Sequence, residues 1–212
     1  QLVFKGNHDA VAFQMYPKGN LKLKNLILTG DNKKGVFAPL KANMSSAYNL
    51  NIENCEIENF NTVLKATKGS FADVITFENS LIKNCKNGII LAAEEKGDYN
   101  AEMVTINQCE FVNVDNNVIN FYRGGYDEST IGGVLRVSSS TFTACGKNEK
   151  SGILLKTRGI INVNIFENDF KNNPIKYVAI LWGEKNNHHK DNNLMNSGTI
   201  KVEDQQKLEI LY

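Results

Sequence analysis

Lys156 and Arg158 stand two residues apart in "GILLKTRG", and Tyr122 and Arg123 lie in the stretch "NFYRGGYDESTIGG", residues 120 to 133. Alternate residues of an extended strand share a face, so Lys156 and Arg158 present two cations to one side. A lysine and an arginine so placed can act as base and acid in a β-elimination, or hold a carboxylate through charge-assisted hydrogen bonds. Tyr122 and Trp182, the single tryptophan of the chain, add flat faces on which sugar rings stack. Cations beside aromatics suit an acidic polysaccharide. Within the same stretch the Gly-Gly pair frees the backbone for a bend. Asp127 and Glu128 are within sequence reach of Arg123 and would brace the loop.

Composition excludes several other partners. The chain has 212 residues, 42% of them hydrophobic, with 24 Lys plus Arg against 23 Asp plus Glu. A disordered chain would be poorer in apolar residues, and a nucleic-acid binder would carry a basic excess. No apolar run approaches the roughly 20 residues that cross a bilayer, and "QLVFKGNHDA" lacks the features of a leader. No nucleic acid and no membrane are therefore expected as partners. Nor is a metal: there is no C-x-x-C pair, and His188 and His189 are neighbours in the polar stretch "EKNNHHKDNN", read as a loop between strands. Adjacent side chains on extended backbone diverge. No cofactor is expected in this chain.

The elements that position these residues repeat. "LKLKNLILTG", "LNIENCEIEN", "ITFENSLIKN", "VTINQCEFVN", "LRVSSSTFTA" and "VNIFENDFKN" begin at Leu21, Leu50, Ile75, Val104, Leu135 and Val163, at offsets of 29, 25, 29, 31 and 28 residues. A period in this range marks a solenoid, whose repeats bury their apolar sides only by stacking. A second strand follows in "TVLKA", "GIILA", "VINFY", "GILLK" and "VAILW". Aligning Leu64, Leu91, Phe121, Leu155 and Leu181 gives one inward column, and Thr62, Ile89, Ile119, Ile153 and Ala179 give another. Outward, by alternation, lie Lys65, Ala92, Tyr122, Lys156 and Trp182, then Thr67, Glu94, Gly124, Arg158 and Glu184. Two strands per repeat and Asn-rich turns predict an all-β chain: one right-handed parallel β-helix of about seven rungs spanning 1–212. The rival is a leucine-rich-repeat horseshoe, whose regular leucine frame the mixed Phe, Ile and Val columns do not keep.

Asn59, Asn84, Asn113 and Asn172 end their motifs at one point of the rung, where asparagine tolerates the left-handed conformation of a tight bend and bonds its copies on neighbouring rungs. The outward strip has two readings. In one, Tyr122, Arg123, Lys156, Arg158 and Trp182 bind substrate. In the other, Trp182 is covered by the loop at 184–193 and Arg158 only pairs with Glu184.

"DYNAEMVTINQCEFVNV" followed by "NFYRGGYDESTIGG" resembles the C-terminal β-helix domain of two-domain alginate lyases of polysaccharide lyase family six, relatives of chondroitinase B. The resemblance runs from about residue 20 to the end, and "YRGGYDES" is its most specific part. It implies a secreted or periplasmic protein that works on uronate polysaccharide by β-elimination. It also implies a partner N-terminal β-helix that holds the catalytic lysine and arginine and a calcium ion. The present chain departs from the catalytic pattern. Gly159, not histidine, follows Arg158, so there is no Arg-His-Gly, and Glu94 and Glu95 are adjacent rather than spaced as calcium ligands. No catalytic or metal residue is carried over. The expected function is an accessory β-helix domain, scaffold and acidic-polysaccharide binder. The alternatives are a lyase in its own right, with Lys156 as base and Arg158 as acid, and a structural or adhesive solenoid without ligand.

The same alignment makes a prediction about the cysteines. Cys55 and Cys109 share one place in the repeat with Ser80 between them, and Cys85 and Cys145 another with Val114 between them. Two rungs at about 4.8 Å each separate the members of a pair by roughly 9.6 Å, beyond the roughly 7 Å that a disulfide spans between Cα atoms. Thiol titration of denatured, unreduced protein is expected to count four free thiols; two or fewer would refute the alignment.

Overall fold

Apolar residues alternate with Asn, Glu, Lys and Thr along each strand, which buries one side of the strand and leaves the other wet. A computed structural model of the chain describes residues 1–5, 10–32, 34–37, 47–93, 99–124, 131–183 and 186–203. Its described residues form strands and no helix. The strands lie in three parallel sheets of seven, eight and eight strands. Sheet 1 runs from Asn20–Lys24 to Asn187–Lys190, sheet 2 from Leu2–Val3 to Asn193–Met195, and sheet 3 from Val11–Gln14 to Thr199–Glu203. Each rung contributes one strand to each sheet in turn, and the chain makes about six turns between the first and last strands of sheet 1, slightly fewer than the seven rungs expected. Three stacked parallel sheets are the predicted β-helix and not the horseshoe.

The first-strand register agrees residue by residue with the sequence alignment. Leu21 pairs with Leu50, Leu50 with Ile75, Ile75 with Val104, Val104 with Leu135 and Leu135 with Val163. All but Leu21 are buried in the single core. In sheet 2 the inward column turns aromatic: Phe111, Phe142 and Phe170 stack with centroids 5.2 and 4.7 Å apart and planes 8° from parallel. The rung spacing of about 4.8 Å forces this parallel overlap on identical rings set one above another.

Corners follow a fixed chemistry. Asn59, Asn84, Asn113 and Asn172 have φ of 59°, 53°, 54° and 56°, and Asn113 Nδ2 donates to Asn84 Oδ1 at 3.2 Å while Asn196 Nδ2 donates to Asn172 Oδ1 at 3.0 Å. A second left-handed corner joins sheet 1 to sheet 2, and there Asn54, Asn79, Gln108, Ser139 and Glu167 all adopt positive φ. At several of these corners the residue after the left-handed one is a small polar side chain that turns inward and serves its neighbours. Ser80 Oγ accepts from Cys55 N–H, Ser140 Oγ from Cys109 N–H, both at 3.0 Å, and Asn173 Oδ1 from Cys145 N–H at 2.7 Å. Small polar side chains at this point thus satisfy backbone donors that the bend strips from the ladder.

All four cysteines are free and buried, as their two-rung spacing requires. Burial pushes the Cys85 and Cys145 thiols up to about 12 and Cys109 up to about 11. Each therefore stays a neutral S–H that donates to a nearby carbonyl, such as Cys85 Sγ to Lys83 O at 3.4 Å. Phe142 sits between two rings, so Phe142→Ala removes contacts on both sides. The substitution is expected to cost about 3–5 kcal/mol, measured by denaturant unfolding; a loss below about 1 kcal/mol, the range of surface sites, would place the ring outside the core.

Candidate functional site

The cations and aromatics singled out above cluster on the outer side of sheet 3. The inward column is as alternation predicts: Leu64, Leu91, Phe121, Leu155 and Leu181 are buried, whereas Tyr122 and Thr67, expected outward, are buried too. The rung-to-rung alignment is corrected by two residues at several steps. Leu64 pairs with Ile89 rather than Leu91, Phe121 with Thr157 rather than Leu155, and Leu155 with Ala179 rather than Leu181. A shift of two leaves every side chain on its face, so the apolar pattern does not register it.

The correction rearranges the outward columns. Lys65, Ile90, Asn120 and Lys156 now form one, and Ile180 pairs with Lys201. Arg158 pairs with Tyr122 and Trp182 with Glu203 in the neighbouring column. Lys156 thus flanks Asn120, not Tyr122. Arg158 takes the place beside the tyrosine, its guanidinium carbon 4.8 Å from the ring centroid, within the range of a cation–π contact. Lys156 and Arg158 do share one face, as expected from their spacing. Glu94 and Glu184 lie outside the described residues.

Exposure divides the five candidates. Lys156, Arg158 and Trp182 are half-buried, whereas Tyr122 is 7% and Arg123 6% exposed. Tyr122 is not the open stacking face that a strand-end aromatic promised. Its carbonyl accepts from Asn100 Nδ2 at 2.7 Å, and the Trp182 carbonyl accepts from Asn187 Nδ2. Arg123 turns toward the start of its own rung: Nη1 lies 2.6 Å from Glu102 Oε2 and 3.4 Å from Ala101 O, and the guanidinium covers Tyr99 at 5.2 Å. Asp127 and Glu128, its expected partners, lie outside the described residues. Nothing local in the sequence marks Glu102, which stands 21 residues before Arg123.

Charge is unevenly shared between faces. Sheet 2 turns Glu56, Glu58, Glu110 and Asp169 outward, and its lysines are engaged by them: Lys83 at 2.6 Å from Glu56 and 3.4 Å from Glu58, Lys171 at 3.1 Å from Asp169. On sheet 3, Lys201 pairs with Glu203, whereas Lys65 and Lys156 have no ion-pair partner among the described residues. His188 and His189 belong to the sheet 1 strand Asn187–Lys190, not to a loop, and both are exposed. Among the described residues no three His, Cys, Asp or Glu side chains converge to hold a metal.

No protein-family model and no curated protein matches the chain. Solved structures do. One described as a mutant of the PL6 family alginate lyase AlyGC is 24% identical with a TM-score of 0.71, and one of AlyGC itself is 22% identical with a TM-score of 0.67. Each likeness covers 94% of this chain and 30% of the other. The chain spans less than a third of the alginate lyase it matches, and what it shares with that enzyme is the parallel β-helix fold.

Proposed function

We propose that the chain is an accessory β-helix module of an alginate-lyase-like protein, the C-terminal domain of a longer enzyme, and that it binds acidic polysaccharide on the outer face of sheet 3. The observation that carries the reading is the half-buried Lys156 beside Arg158 and Trp182, a cation without an ion-pair partner among the described residues, on a sheet whose described strand residues include one acid, Glu203. An anionic polymer laid along the solenoid axis meets Lys65, Lys156 and Lys201 in succession, with Trp182 to stack on a sugar ring. The likeness to an alginate lyase supports uronate as the acid and a secreted or periplasmic setting. The missing Arg-His-Gly supports a binding rather than a catalytic role. A second reading, a lyase in its own right, is favoured by one observation: Lys156 and Arg158 do occupy one face, two residues apart.

Calorimetric titration with alginate oligosaccharides separates the readings when paired with absorbance of the unsaturated product. Weak binding without product is expected. Lys156→Ala should remove a share that fades with salt, because the screening length falls from about 10 Å at 0.1 M to about 3 Å at 1 M. Trp182→Ala should remove a share that persists, since stacking is not screened. Product formation abolished by Lys156→Ala would establish the lyase instead, and no binding at either salt would leave a solenoid without this ligand.

A further inference from the structure

Arg123 sits under the proposed binding face without reaching it. Its main chain and side chain tie together two rungs. The Arg123 N–H donates to Arg158 O at 2.8 Å on the next rung, while the guanidinium pairs with Glu102 in the sheet 1 strand of its own rung. Room for this crossing is made by glycines. A Cβ on Gly133 would stand 2.9 Å from Arg123 Cδ, and one on Gly159 only 1.7 Å from Arg123 O. Gly159 also has φ of +70°, a conformation that side chains disfavour, and its carbonyl accepts from Gly132 N–H at 2.9 Å. Arg123 is therefore joined to both members of the cation–π pair above it, to Tyr122 through the chain and to Arg158 through a hydrogen bond.

We infer that Arg123, held by Glu102 and Tyr99, is a positioning residue that sets the Tyr122–Arg158 pair for an anionic ligand. The inference rests on the reading of this face as a polyuronate site. Arg123 itself is too buried to touch a polymer, and its charge is already answered by a carboxylate. What it supplies is a fixed backbone from which Arg158 projects. Glu102, 54% exposed at its side chain, anchors that arrangement from the surface, so it can be altered without opening a hole in the core.

Arg123→Ala leaves a void between rungs and endangers the fold, so Glu102→Gln carries the test, with Arg123→Lys beside it. Binding of alginate oligosaccharides is titrated across a salt series, and amide hydrogen exchange is followed in the same proteins without ligand. Glu102→Gln is expected to weaken binding by up to about fivefold, the size of a partly exposed ion pair. The salt slope should equal that of wild type, since no ligand-contacting charge is lost. Lys156→Ala, by contrast, flattens the slope. Amides of Arg123 and Gly132 should lose protection in Glu102→Gln while amides of Ile106 and Val137 keep theirs. Arg123→Lys, which keeps charge but not the planar fork, should show the same local loss. Unchanged affinity with unchanged protection overturns the inference, as does a flattened slope in Glu102→Gln, which would make the pair a direct contact. If wild type binds no oligosaccharide, the polyuronate reading fails by itself, and exchange alone decides: local loss at Arg123 and Gly132 upholds the positioning role, and none refutes it.

Discussion

Residues in the interior strands of this protein have their neighbours fixed one rung above and one rung below by the parallel hydrogen-bond ladder. That spacing, about 4.8 Å, is the constraint from which the other features follow. Like residues stacked at this distance must attract or be relieved. Phenylalanines attract, and so Phe111, Phe142 and Phe170 overlap face to face. Carboxylates repel, and on sheet 2 Lys83 stands next to Glu58 in the column and draws Glu56 as well. Asparagines, with a donor and an acceptor on one amide, bond their own copies, as Asn113 does with Asn84. The ladder converts a choice made on one rung into a condition on the next.

Corners pose the opposite problem, because a bend removes backbone groups from the ladder. At many corners the chain meets it with one left-handed residue followed by one inward small polar side chain, while apolar Phe60 and Val114 follow Asn59 and Asn113. Cysteine, serine and asparagine all serve in the second position, and the thiols there are donors to carbonyls rather than reactive groups. The raised pKa values of Cys85, Cys109 and Cys145 follow from the same burial that makes the corner work.

Much of this was legible in the sequence, for a physical reason. Burial imposes the alternation of Leu50, Ile75, Val104, Leu135 and Val163, and the turn chemistry imposes Asn59, Asn84, Asn113 and Asn172. Both leave residue types behind. The slip that sets Arg158 rather than Lys156 beside Tyr122 leaves none, because a shift of two keeps every face intact and only the hydrogen bonds change. The Arg123–Glu102 pair was equally silent: its members lie at opposite ends of one rung, and two charged residues 21 apart look like any others. Ser139 and Glu167 at the corner between sheets 1 and 2 were invisible too, since the geometry there overrides their weak preference for positive φ. The fold was read from repetition, whereas the candidate site departs from repetition.

The three corners differ in length. Between sheets 1 and 2 the connection is two residues on every rung, from Asn25 and Leu26 to Asp191 and Asn192. Between sheet 3 and sheet 1, beside the cationic face, it ranges from the single Gly159 to ten residues between Phe37 and Tyr48. The invariant corner works as an escapement that releases the chain into each new rung in phase, and the variable corner stands outside that timing. Insertions at the second can therefore change what surrounds the outer face of sheet 3 while the core, which is set by the first, is inherited unaltered.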